Sequence, residues 1–100
     1  MYLFRDIMYC KPGKVRAVVE KFIRMSALME KQGMTKMKIM TDVCAEQYWT
    51  VVIEAEAPSI DGFMAMVSQS PTDMKEMEEI MKGYHDLVDH GKREIYKLEG

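Results

Sequence analysis

The chain opens with YLFRDIMYC, in which Tyr2, Phe4 and Met8 alternate with Leu3, Ile7 and Tyr9 until KPG interrupts the run. A run of aromatic and aliphatic residues of this length predicts a strand over 2–10. Pro12 and Gly13 then introduce a different period: Val15, Val18, Val19, Phe22, Met25 and Met29 recur at helical spacing, with Glu20 one turn before Arg24 on the other face. That pattern predicts an amphipathic helix from Val15 to Met29, closed by Gly33. TKMKIMTDV and QYWTVVIEAE read as two strands of an antiparallel hairpin joined by a polar connection around Ala45 and Glu46. Pro58 stops the second of them, and Ser59 caps a short helix through Val67. Ser70, with Pro71 in the first turn and Asp73 three residues on, starts another helix. Its apolar stripe is Met74, Met77, Ile80, Met81, Tyr84, Leu87 and Val88, Gly91 ends it, and REIYKLE supplies a last strand.

The resulting order is strand, helix, strand, strand, helix, strand. It is the ferredoxin-like βαββαβ arrangement of the α+β class: a four-stranded antiparallel sheet with helices on one face. A sheet covered on one side only should alternate apolar with polar residues. Here the first strand is apolar on both faces, the third opposes Trp49, Val51 and Ile53 to Tyr48 and Val52, and the last opposes Ile95 to Tyr96 and Leu98. The helices cover one face, and a second copy of the chain is the simplest cover for the other, which predicts a homodimer. Charges inside the first and last strands should find cross-strand partners, pairing Arg5 with Glu94 and Asp6 with Arg93.

Composition narrows the classes. One hundred residues make a single domain, 1–100, with one core. A net charge of -2 with interspersed signs gives nucleic acid no basic surface. No apolar stretch reaches the roughly twenty residues of a membrane helix, so no membrane partner is expected. The first residues, MYLFRDIMYC, lack a basic leader and a cleavage site, which favours the cytoplasm. Cys10 and Cys44 form no CxxC or Cys/His cluster and read as reduced thiols, with no metal site expected. No glycine-rich phosphate loop, nucleophile–base pair or carboxylate cluster of metal spacing is visible, so hydrolase and kinase chemistry recede.

A ferredoxin-like unit of this length, with a two-sided apolar sheet, KPGKV leading into the first helix and GKREIYKLE closing the chain, resembles the dimeric α/β-barrel superfamily, near its NIPSNAP-like and antibiotic-biosynthesis-monooxygenase-like members. The resemblance implies two sheets facing each other across a dimer and a cavity between sheet and helices for a small organic molecule. It also implies three functional alternatives: a ligand-binding protein, a cofactor-independent monooxygenase or haem-binding and haem-degrading enzyme, and a structural or regulatory dimer with no ligand. Fold alone does not choose among them or decide whether the chain is an enzyme. No cofactor is called for by the residues themselves; haem enters only through the resemblance. Haem-degrading members bring an asparagine from the first strand, where this chain has Asp6.

Candidate site residues follow. Trp49 would offer a flat wall to an apolar or aromatic ligand, with Tyr84, His85, Met81 and Ser26 as further lining, although each also has an ordinary packing role. His85 falls at the edge of the long helix's stripe, beside Met81 and Met74, whereas His90 reads as the C-terminal residue of that helix. At about 100° per residue the two point about 140° apart and cannot share a metal. An enzymatic reading would turn to His85 and Asp6 as its catalytic groups. The twelve methionines suit either an adaptable pocket or an irregular core.

Overall fold

The computed structural model describes residues 1–31, 36–68 and 74–100. Its strands are β1 (Tyr2–Cys10), β2 (Lys38–Thr41), β3 (Thr50–Ala57) and β4 (Val88–Lys97), and its helices are α1 (Val15–Lys31), α2 (Ile60–Ser68), α3 (Met74–Met81) and α4 (Tyr84–Leu87). They build the ferredoxin-like α+β fold, an antiparallel sheet in the order β2-β3-β1-β4. The central pair β1 and β3 carry the densest apolar sequence, as strands flanked on both edges should.

Registry assigns each strand residue to a face. In β1 the even-numbered residues look toward the helices. Phe4 stacks on Phe63 of α2 with ring centroids 3.8 Å apart, and Met8 and Cys10 join Val51 and Ile53 of β3 against Val18, Val19 and Phe22 of α1. These are the α1 positions that the helical period selects, and Val18 is completely buried. Lys21, on the flank of α1, donates from Nζ to the carbonyls of Ile80 and Lys82, satisfying carbonyls at the C-terminal end of α3. The odd-numbered residues Leu3, Arg5, Ile7 and Tyr9 look the other way, together with Met40, Val52, Glu54, Glu94 and Tyr96 across the ladder. None of the described helices packs over that face.

Three boundaries differ from the sequence pattern. The long helix expected to reach Gly91 breaks earlier: Gly83 adopts φ 81° between α3 and α4, and β4 already begins at Val88. Gly91 therefore lies inside a strand, where a Cβ would stand 2.9 Å from the Ile7 carbonyl oxygen, so its role is close backbone approach and not helix termination. His90, expected at a helix end, is instead a β4 residue opposite Tyr9. Third, β3 starts at Thr50, so Tyr48 and Trp49 belong to the β2–β3 connection and not to a central strand. Ser59 does cap α2, its Oγ accepting from Gly62 N–H at 3.0 Å. Gly33 and the Ser70, Pro71 and Asp73 cap lie outside the described residues, as do the side chains of Met74 and Met77.

Candidate binding site

The β2–β3 connection is pinned at both ends. Asp42 N–H donates to the Thr50 carbonyl at 3.2 Å, Thr50 N–H donates to Asp42 Oδ1 at 2.9 Å, and the Thr50 hydroxyl donates to the Gln47 carbonyl at 2.8 Å. The Trp49 carbonyl in turn accepts from Cys10 N–H at 2.8 Å, fastening the connection to the end of β1. Trp49 meets these constraints with a backbone φ of 60°, the left-handed region that costs an L residue about 1–2 kcal/mol. Among the described non-glycine residues it alone has a positive φ. For a bulky side chain such a conformation persists only where the surroundings over-determine it. The bonds from Cys10 and Thr50 do so.

The conformation turns the indole outward over a depression of about 450 Å³ lined by Val15, Thr41, Asp42, Tyr48 and Trp49. It lies between the first turn of α1, represented by Val15, and the edge of the sheet, represented by Thr41 on its helix-facing side. Trp49 is 43% exposed and Tyr48 86% exposed, so two adjacent aromatic rings meet solvent beside one half-buried carboxylate. Of these lining residues the sequence pattern singles out only Trp49. Val15 falls on the core stripe by its period, and the adjacent aromatics Tyr48 and Trp49, both good strand formers, read as the start of β3. The usable signal is Asp42, a residue that bonds turn backbone and marks where β2 ends.

The other expected site residues are dispersed. Tyr84 and Met81 are half-buried against the core, Tyr84 meeting Phe22 edge to face at 5.8 Å. Burial pushes the Tyr84 phenol above its ordinary value, with the nearby Cys10 and Asp6 adding to the shift. The Cys10 thiol is likewise pushed up, first by burial and then by the charge of Asp42. Cys10 thus stands between the two groups: its amide holds Trp49, and its side chain lies in the cluster on which Tyr84 packs. Ser26 is buried on α1. His85 is exposed on α4, its ring edge-on to Tyr84 at 5.5 Å. Asp6 is taken up by Arg93, whose Nε and Nη2 donate to its two oxygens at 2.6 and 3.1 Å. That fork geometry fixes the carboxylate and raises the arginine's pKa. Asp6, His85 and Trp49 do not converge on one depression.

On the opposite sheet face Arg5 donates from Nε to Glu54 at 2.7 Å, lies 3.7 Å from Glu94, and sits 5.3 Å above the Tyr96 ring. Tyr9 lies against His90 with ring centroids 4.6 Å apart, and His90 Nδ1 is 2.7 Å from Asp89. The two cross-strand pairs expected from the sequence, Arg5 with Glu94 and Asp6 with Arg93, are both in register.

No family model matches the sequence, and no curated protein matches it. Solved structures do match in fold. An uncharacterized NIPSNAP domain protein from Burkholderia xenovorans superposes with a TM-score of 0.75 at 10% identity, covering 98% of this chain and 94% of that one. A putative antibiotic biosynthesis monooxygenase from Nitrosomonas europaea gives 0.70 at 15% identity over 100% of both chains. SnoaB from Streptomyces nogalater, a cofactor-independent oxygenase solved in mutant form, gives 0.68 at 12% identity, covering 99% of this chain and 93% of that one. Identities this low speak for architecture alone, and the chain shares the ferredoxin-like fold of the NIPSNAP-domain and antibiotic-biosynthesis-monooxygenase-like proteins.

Proposed function

We propose that the protein is a homodimer that binds a small apolar or aromatic molecule in the depression beside Trp49. The observation that carries this reading is the left-handed backbone of Trp49, an unfavourable conformation that presents an indole beside an open depression between α1 and the sheet edge. A tryptophan serving only as packing would gain more from burial, since aromatic rings contribute stability chiefly through the area they remove from water. Dimerisation is supported by the uncovered sheet face, where Leu3, Ile7 and Val52 stand half-buried beside the more exposed Met40 and Tyr96.

Trp49 is the only tryptophan, so its emission reports directly on the site. Titration with a panel of phenols, naphthols and quinols should give a saturable shift or quench of that emission for at least one member. A panel that leaves the spectrum unchanged at millimolar concentrations would contradict the reading.

The rival, oxygenation of a bound aromatic without a cofactor, has in its favour the fold shared with SnoaB. Oxygen consumption on adding the aromatics that bind would establish it, and binding without consumption would leave a carrier or sensor. Haem fits less well: His85 is exposed on the outer side of α4 against Tyr84, so an iron ligated there would lie in solvent. His85 is not among the residues that line the depression that Trp49 overlooks.

A further inference from the structure

The lining of the depression is chemically lopsided. Val15 supplies an aliphatic floor, Tyr48 and Trp49 supply two aromatic rings, Thr41 a hydroxyl, and Asp42 an acidic group; among the described residues the lining contains no lysine, arginine or histidine. We infer that the ligand of this site carries a positive charge, an ammonium group on a small apolar or aromatic body. The inference rests on the reading that the depression binds a small molecule and specifies which class it takes.

The electrostatic reasoning concerns what a ligand arriving from solvent would meet. The faces of tyrosine and tryptophan rings are the negative regions of their quadrupoles and attract an ammonium placed over them. Asp42 holds its carboxylate in place through backbone on both sides: Oδ1 accepts from Thr50 N–H at 2.9 Å, and its own N–H is bonded to the Thr50 carbonyl. A carboxylate fixed in this way costs no further ordering when a cation pairs with it. The first turn of α1 reaches the same rim through Val15 and contains no acidic residue of its own. Its positive end favours a negative charge nearby, and Asp42 supplies that charge from within the chain. An anionic ligand would therefore approach a helix terminus that already has its counter-charge, and would also be repelled by Asp42. Lys14 and Arg16 flank Val15 in sequence but are exposed, where solvent and salt screen them. The Cys10 thiol is pushed up first by burial and then by the charge of Asp42, which lies toward the end of β1 as well as in the depression.

Three ligands of one shape and different charge separate the outcomes: benzylamine as its ammonium, benzyl alcohol and benzoate, each titrated into the full chain at neutral pH and followed by Trp49 emission. Benzylammonium should bind at least about tenfold more tightly than benzyl alcohol, with benzoate weakest. Asp42→Asn keeps an oxygen for Thr50 N–H and should lower the ratio of ammonium to alcohol severalfold, leaving the part that the aromatic rings supply. Tyr48→Leu, at a side chain almost wholly in solvent and therefore harmless to folding, should reduce the same ratio part of the way. Equal or tighter binding of the alcohol or the benzoate to the wild-type chain would overturn the cationic class while leaving the site itself standing. Silence toward all three, in emission and in the methyl NMR signals of Val15, would overturn the binding reading along with it.

Discussion

Gly91 shows how a single residue can be misread for a sound reason. A glycine after a helical stripe normally marks a C-terminus, yet here it allows β4 to lie against β1, with 2.9 Å between a would-be Cβ and the Ile7 carbonyl. Gly91→Ala should therefore lower stability by about 1–3 kcal/mol, as overpacking against rigid backbone does, measurable as a lower urea midpoint. The buried acids set a second expectation. Tyr84 and Cys10 both titrate above their ordinary values of 10.0 and 9.0, chiefly because burial disfavours their charged forms. In the alkaline window the unfolded chain releases these protons before the folded one, so the folded state holds more protons and stability falls as pH rises. Stability should accordingly be insensitive to these groups below about pH 8 and decline from about pH 9 upward. Denaturant melts of Tyr84→Phe should show a shallower alkaline decline than the wild type, and an unchanged slope would remove Tyr84 from the account. The paired charges are legible in the sequence because Arg5 and Asp6 interrupt an apolar strand and need partners across the ladder, and the register delivers Glu94 and Arg93. The backbone of Trp49 is not, because composition does not encode a positive φ; Tyr48 and Trp49 look like the start of a strand until Thr50 and Cys10 fasten the turn.

At the scale of elements, β1, α1, β2, β3 and α2 follow from period and punctuation, and the break between α3 and α4 does not. Met81, Tyr84 and Leu87 all remain against the core on either side of Gly83, so the stripe stays in phase and conceals the interruption. The signal is Gly83 itself, whose left-handed φ ends the helix. Besides Met81, two groups among the described residues hold α3 to the core. Ile80 is 2% exposed, and the Lys21 ammonium tethers the carbonyls of Ile80 and Lys82. Ile80→Ala should cost about 2–5 kcal/mol by cavity formation, seen as a lower thermal midpoint. The amide protons of α3 should lose more exchange protection than those of β1, because the sheet retains its own ladder. The candidate site is half legible at this scale: the sequence names its aromatic wall, but the partners Thr41, Asp42 and Val15 come from segments that only the closed fold brings together.

For the whole molecule the decisive feature is the sheet face turned away from the helices. Leu3, Ile7, Val52, Met40 and Tyr96 share it with Lys38, Glu56, Lys92 and the Arg5 guanidinium, which is paired with Glu54 and Glu94 and lies over the Tyr96 ring. An ion pair in water contributes at most about 1 kcal/mol, so as a surface device it would add little. Placed beneath a partner it lets the apolar part of this mixed face be covered without leaving an arginine unpaired. A specific interface removes about 1,200–2,000 Å² from water, and a sheet face is the surface of this fold suited to supply it. Sedimentation velocity at micromolar concentration tests the claim most directly. The wild-type chain should sediment at twice the mass of one chain, and Ile7→Glu, which puts a charge at the centre of the face without touching the helix-side core, should sediment as single folded chains. A wild-type protein that stays a single chain across that range would contradict it.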